Sequence, residues 1–186
     1  MSKVELKRKY KQEVVPELKD DLDYDNVMEV PKIEKVTVNV GYGDKKDDTE
    51  FVETVEEDLA RITGQKPVHN KANQAISNFD IRKGDKVGVS VTLRGDEMYE
   101  FLYKLINLTL PRTKDFRGIK PNAFDKNGNY SLGLEESVAF PEVEVDDMDL
   151  VHGVQIAVTT SADNEEEGFA LLDKLGFPFK DEDKQN

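Results

Sequence analysis

Apolar side chains recur at Val4, Leu6, Tyr10, Val14, Val15, Leu18 and Leu22, a roughly helical spacing that predicts a helix over about 2–20 with Pro16 as a kink or break. The period then changes. Ile33 to Val40 is β-branched and partly alternating, and Gly41-Tyr42-Gly43 closes it, so a strand and a tight turn are expected. Val55, Leu59 and Ile62 mark a helix that Thr49 can cap and Gly64 can stop. Pro67 to Ile81 is polar and reads as a strand running into a long loop. Val87 to Leu93 alternates cleanly up to Arg94-Gly95, so the pair predicts an antiparallel hairpin. Met98, Phe101, Leu102, Leu105, Ile106 and Leu108 form a strongly apolar helix ended by Pro111, and residues 111–129 read as an exposed loop. Tyr130 to Leu134 and Val154 to Thr160 are further strands. Asp163 opens a last helix carrying Phe169, Leu171, Leu172 and Leu175, which Gly176 and Pro178 stop. Strand and helix signals are interspersed without a repeat or a low-complexity linker. The expectation is one α+β domain over 1–180 and a polar tail at 181–186.

The 186 residues give length enough for a core, and the absence of cysteine excludes thiolate catalysis, disulfides and Cys-ligated zinc. The N-terminus is too charged for a signal peptide and no run approaches eighteen apolar residues, so a cytoplasmic protein without a membrane partner is expected. Catalytic signatures are missing too. Gly41-x-Gly43 has Lys46 where a dinucleotide fingerprint needs its third glycine, and no phosphate-binding loop or nucleophile elbow is present. His69 and His152 stand far apart and read as ordinary surface residues. Asp146, Asp147 and Asp149 resemble a calcium loop, but Val151 and His152 occupy positions where that loop needs a ligand and a glycine, so a solvated acidic turn is the better account. No catalytic residue, metal or cofactor is expected, and the chain reads as not an enzyme.

Charge narrows the partners. The net charge of −13 argues against a polyanionic ligand, yet it is uneven: residues 61–94 carry +5 and residues 111–126 carry +3, while 141–186 carry −10. Phosphate would be met at the two basic islands. The acidic C-terminal part supports a rival reading as a stand-alone acidic protein-interaction module.

Three strings place polar or basic groups where secondary structure ends: Gly64-Gln65-Lys66-Pro67, Val91-Thr92-Leu93-Arg94-Gly95, and Leu110 through Gly118, in which Arg112, Lys114 and Arg117 flank Phe116. With Val30-Pro31, Asn39-Val40-Gly41-Tyr42-Gly43, Gly128 to Gly133, Phe140-Pro141-Glu142 and Phe177-Pro178-Phe179, they give ordered matches from about Tyr10 to Lys180. The chain thereby resembles the bacterial large-subunit ribosomal protein family that binds 5S rRNA in the central protuberance, the universal fifth protein of that subunit. The resemblance implies an antiparallel sheet with helices packed on one face and long protruding loops, and a ribosomal location in contact with 5S rRNA and 23S rRNA. It assigns 5S rRNA recognition to Asn39, Gln65 and Thr92. Asn and Gln offer donors and acceptors and Thr a hydroxyl, so these groups can bond RNA without counterion release. It also implies a loop from Asn70 to Arg82 facing the P-site tRNA, with Lys71, Asn73, Gln74, Ser77 and Arg82 as its contacts. Asn73, Gln74 and Asp80 stand there where relatives usually carry Lys or Arg. Finally, Arg112, Lys114, Phe116 and Arg117, with part of the acidic segment after Pro141, would bridge to neighbouring ribosomal proteins including one of the small-subunit head.

Overall fold

A computed structural model describes residues 5–144 and 150–180. The predicted helix start before Glu5, the acidic run 146–149 and the tail 181–186 lie outside the described residues. Five strands, β1 Ile33–Gly41, β2 Val68–Lys71, β3 Lys86–Leu93, β4 Tyr130–Leu134 and β5 Val154–Thr160, form one sheet in the order β2-β3-β1-β5-β4. The sheet is antiparallel and four helices pack on it, the α+β class expected.

Helix α1 comprises Glu5–Lys9, a π-helical turn Tyr10–Val14 and Val15–Asp21; it passes through Pro16 without breaking. Proline has no amide hydrogen, and its ring crowds the carbonyl four residues back. The turn before Pro16 widens, with the Val15 amide donating to the Tyr10 carbonyl, and the helix continues to Asp21. The same device recurs in α3, built of Gly95–Lys104, a π-turn Leu105–Thr109 and Leu110–Arg112, where the Leu110 amide reaches the Leu105 carbonyl just before Pro111. Pro111 therefore does not end this helix, which stops at Arg112 as Thr113 turns extended.

Two predicted caps shift by one residue. Asp48, not Thr49, caps α2 (Thr49–Thr63), its carboxylate accepting from the Phe51 amide at 3.1 Å. Asn164, not Asp163, caps α4 (Glu165–Leu175), accepting from the Glu167 amide at 2.9 Å. In each case the capping residue is extended and its side-chain oxygen spans to the third helical amide. Gly64 and Gly176 close these helices in the left-handed conformation, at φ 69° and 101°.

The chain divides into two compact units. The first holds Met1–Val36, Leu93–Leu132 and Ala157–Asn186. In it α1 packs against α3 and α4 over buried Leu18, Leu102, Leu105, Leu171 and Leu172. Phe124, Tyr130, Phe169, Phe177 and Phe179 form an aromatic cluster beside them. Residues 111–129 are not simply an exposed loop, because Ile119 is buried and its amide and carbonyl bond the backbone of Pro178 and Lys180.

The second unit holds Thr37–Thr92 and Gly133–Ile156. Its apolar core comes from Val38, Val40, Val55, Leu59, Val89, Val91, Val154 and Ile156. The intervening strand residues, Thr37, Asn39, Ser90, Thr92 and Gln155, are left open to solvent in whole or part, as period-two alternation dictates. His152 is a correction to the surface reading: it is buried, its Nε2 stands 3.1 Å from buried Asp58 Oδ2, and the ring meets Phe51 edge-on. His69 is half-buried rather than exposed, with Nδ1 3.1 Å from the Tyr42 hydroxyl and Nε2 3.4 Å from Glu56. Burial of Tyr42, and after it the Glu56 charge, holds that phenol above its usual pKa.

Candidate nucleic-acid interface

Asn39 and Thr92 lie on neighbouring strands, β1 and β3, at outward positions of the alternation. Strand geometry thus presents both on the solvent side of the sheet. Gln65 sits in the short connection between Gly64, which ends α2, and edge strand β2. The turn is held locally, the Thr63 hydroxyl donating to the Leu59 carbonyl at 2.7 Å. Beside Gln65, the flank of α2 is acidic, and Glu53, Glu56 and Glu57 line a groove with Ala60 and Pro67.

Asn39 is not isolated. Its Oδ1 accepts from Asn70 Nδ2 at 3.0 Å and its Nδ2 donates to Gln155 Oε1 at 3.3 Å. Asn70 Oδ1 in turn accepts from the Ser90 hydroxyl at 3.1 Å. Asn70, expected as the first residue of the loop, is instead part of β2, opposite Gly88 of β3. Sequence reasoning passed over Ser90 and Gln155. The signal that finds them is the same alternation: Ser90 stands two residues before Thr92, and Gln155 is the polar position between buried Val154 and Ile156.

The segment after β2 is a structured extension of the hairpin. The Ala72 amide bonds the Asp85 carbonyl, the Gly84 amide bonds the Ala72 carbonyl, and Ile76 and Ile81 exchange both backbone bonds around a 3-10 turn at Ser77–Phe79. Asn73, Gln74, Ser77 and Arg82 are exposed on it, and Lys71 is exposed at the end of β2. Lys71 pairs in register with Lys86, so two cations face each other across the strands, an arrangement that costs stability unless an anion lies nearby. Lys46 holds the base of the hairpin by donating to the Asp80 carbonyl and, at 2.8 Å, to Asp85 Oδ2. Asp85 also accepts from the Arg82 amide; the Lys46 bond first, and this one after it, hold its carboxyl below the usual value.

In the other unit, Arg112, Lys114 and Arg117 are exposed and Phe116 is half-buried between them. The loop is a tight one. The Thr113 amide bonds the Leu110 carbonyl, the Phe116 amide bonds the Thr113 carbonyl, and Asp115 takes φ 54°. Gly118, at φ 100°, leaves no room for a Cβ against the Lys180 backbone nitrogen, 2.9 Å from where one would stand. Among the described residues no helix is long and apolar enough to cross a membrane.

Comparison with known proteins covers nearly the whole chain. Residues 26–82 match the family model for Ribosomal protein L5, and residues 86–179 match the model for the C-terminus of the same ribosomal family. The chain is 52% identical over 174 residues to the large ribosomal subunit protein uL5 of Halothermothrix orenii, covering 94% of this chain and 97% of that one. It is 54% identical to the protein of that name from Natranaerobius thermophilus, covering 91% and 95% of the two chains. To a counterpart from Thermus thermophilus it is 52% identical, covering 95% and 97%.

Proposed function

The chain belongs to the ribosomal L5 family, a structural protein of the large subunit in the cytoplasmic ribosome, and on that premise we propose that it binds 5S rRNA through the polar side of its sheet. The observation that carries this reading is the row of uncharged hydrogen-bonding groups on an otherwise acidic molecule. Asn39, Thr92 and Gln65 sit around one end of the sheet and its edge, where donors and acceptors of both kinds can meet ribose hydroxyls, base edges and phosphate oxygens. The A-form minor groove is wide and shallow and displays its 2′-hydroxyls, which suits a flat, neutral β surface better than an inserted cationic helix.

Two further contacts are proposed from the same family resemblance. The hairpin extension would reach the P-site tRNA, with Lys71 and Arg82 meeting phosphate and Asn73, Gln74 and Ser77 supplying neutral bonds. Arg112, Lys114, Phe116 and Arg117 would meet a protein of the small-subunit head, while other exposed cations meet 23S rRNA. The protein's part in each is to position, with no bond made or broken.

The test is capture of RNA by the tagged full chain from a lysate depleted of its own ribosomes and supplemented with 5S rRNA. The wild type is expected to retain 5S rRNA, and the variant carrying Asn39→Ala, Gln65→Ala and Thr92→Ala to lose it with its melting transition still cooperative. Recovery of proteins with no 5S rRNA would instead favour the acidic interaction module. Equal capture by the variant would overturn the residue assignment.

A further inference from the structure

We infer that Asn70, Ser90 and Gln155 are positioning residues that hold the Asn39 amide in one orientation before RNA arrives, an inference that rests on the proposed 5S rRNA reading. The four side chains make a directional relay. The Ser90 hydroxyl donates to Asn70 Oδ1 at 3.1 Å, Asn70 Nδ2 to Asn39 Oδ1 at 3.0 Å, and Asn39 Nδ2 to Gln155 Oε1 at 3.3 Å. Each amide uses its oxygen on one side and its nitrogen on the other. Turning Asn39 alone by half a revolution would set its nitrogen against the Asn70 nitrogen and its oxygen against the Gln155 oxygen, losing both bonds. One proton of Asn39 Nδ2 and one lone pair of Oδ1 remain for a ligand, and the relay decides which end of the amide offers which.

The backbone is shaped to allow this. Strand β3 lies between β2 and β1, so the bond from Asn70 to Asn39 must cross an intervening strand. Neighbouring strands are ~4.8 Å apart, and the two amides meet only if the position between them is clear. On β3 the register partner of Asn70 is Gly88, which carries no side chain to compete for the space over that strand. A Cβ there would also stand 2.7 Å from the Val40 carbonyl oxygen, so this site is closed to every other residue without a backbone shift. Asn39 thus reaches the bound state with its amide already ordered, and the side-chain ordering that binding would otherwise require is done on folding.

A double-mutant cycle on the full chain tests this, with 5S rRNA transcript as the titrant. Asn70→Ala breaks the relay from one side; Gln155→Ala breaks it from the other, at an exposed position. Each is expected to weaken binding by about three- to tenfold, the range of one neutral hydrogen bond, and to have no further effect in an Asn39→Ala background, because both act through Asn39. A merely structural role, or a direct contact with RNA, would give the same loss in both backgrounds. Equal loss in both, or no loss from either variant while Asn39→Ala still weakens binding, overturns the relay and leaves the 5S rRNA reading standing. Asn39→Ala without effect would sink that reading, and the relay with it.

Discussion

Asp58 and His152 form a contact whose loss the fold should register sharply. Both are buried, and the backbone carbonyl of His152 also accepts the Ser137 amide at 2.8 Å, so the pair ties the chain before β5 to α2. Asp58→Ala would leave the imidazole nitrogen buried without a partner, at a cost of about 1–3 kcal/mol. Urea unfolding checks this: the midpoint should fall with the slope unchanged, and Asp58→Asn, which keeps an acceptor oxygen, should lose less. An unmoved midpoint would mean that water or another group satisfies His152. Nothing local in the sequence marks this pair, because its members are 94 residues apart and Asp58 follows two other acids, Glu56 and Glu57.

At the scale of elements, local chemistry was legible where the chain could satisfy it locally. The apolar periods located the four helices and the alternation located strands β1 and β3, whereas Asn39 and Thr92 came from the family resemblance, and only the folded sheet shows both at outward positions. What escaped depended on partners elsewhere. Pro16 reads as a kink or break and Pro111 as a helix end, but packing of Leu18 and Leu110 into the core favours continuing the helix, and a π-turn accommodates each ring. Asn70 read as loop because its short strand is polar, and only pairing with β3 makes it a strand. The hairpin extension gives a prediction at this scale. Asp85 has a depressed folded-state pKa, caused first by its bond from Lys46, so its contribution is present above the usual carboxylate value of 3.8 and lost as pH falls below it. Hydrogen exchange at the Ala72 and Gly84 amides should lose protection on acidification below about pH 4, before global unfolding. Unchanged protection there would show that backbone pairing alone holds the extension.

For the molecule as a whole, charge and function pull in opposite directions. Buried tyrosines bear on its alkaline limit: burial raises Tyr99 to about 12, with Tyr10 adding to it, and burial raises Tyr130 to about 12. Unfolded, they would ionise near 10, so stability is complete below that pH and declines as pH rises toward 12. Tyr130→Phe should flatten the decline in melting temperature over this window, and an equally steep decline would remove Tyr130 from the account. The larger question is how a chain of net charge −13 grips RNA. The hairpin carries Lys71, Arg82, Lys83 and Lys86, but the groups assigned to 5S rRNA, Asn39, Gln65 and Thr92, are uncharged and the α2 flank is acidic, so counterion release would supply little of the affinity for that RNA. In a saline cytoplasm, with a screening length of ~3 Å at about 1 M salt, neutral bonds would persist where cationic contacts fade. The most direct measurement is therefore the affinity of the purified chain for 5S rRNA from low to moderate salt. A fourfold rise in salt is expected to weaken binding by no more than about tenfold, as one or two phosphate contacts would. A loss approaching about a thousandfold, as for six or more such contacts, would contradict recognition by uncharged groups.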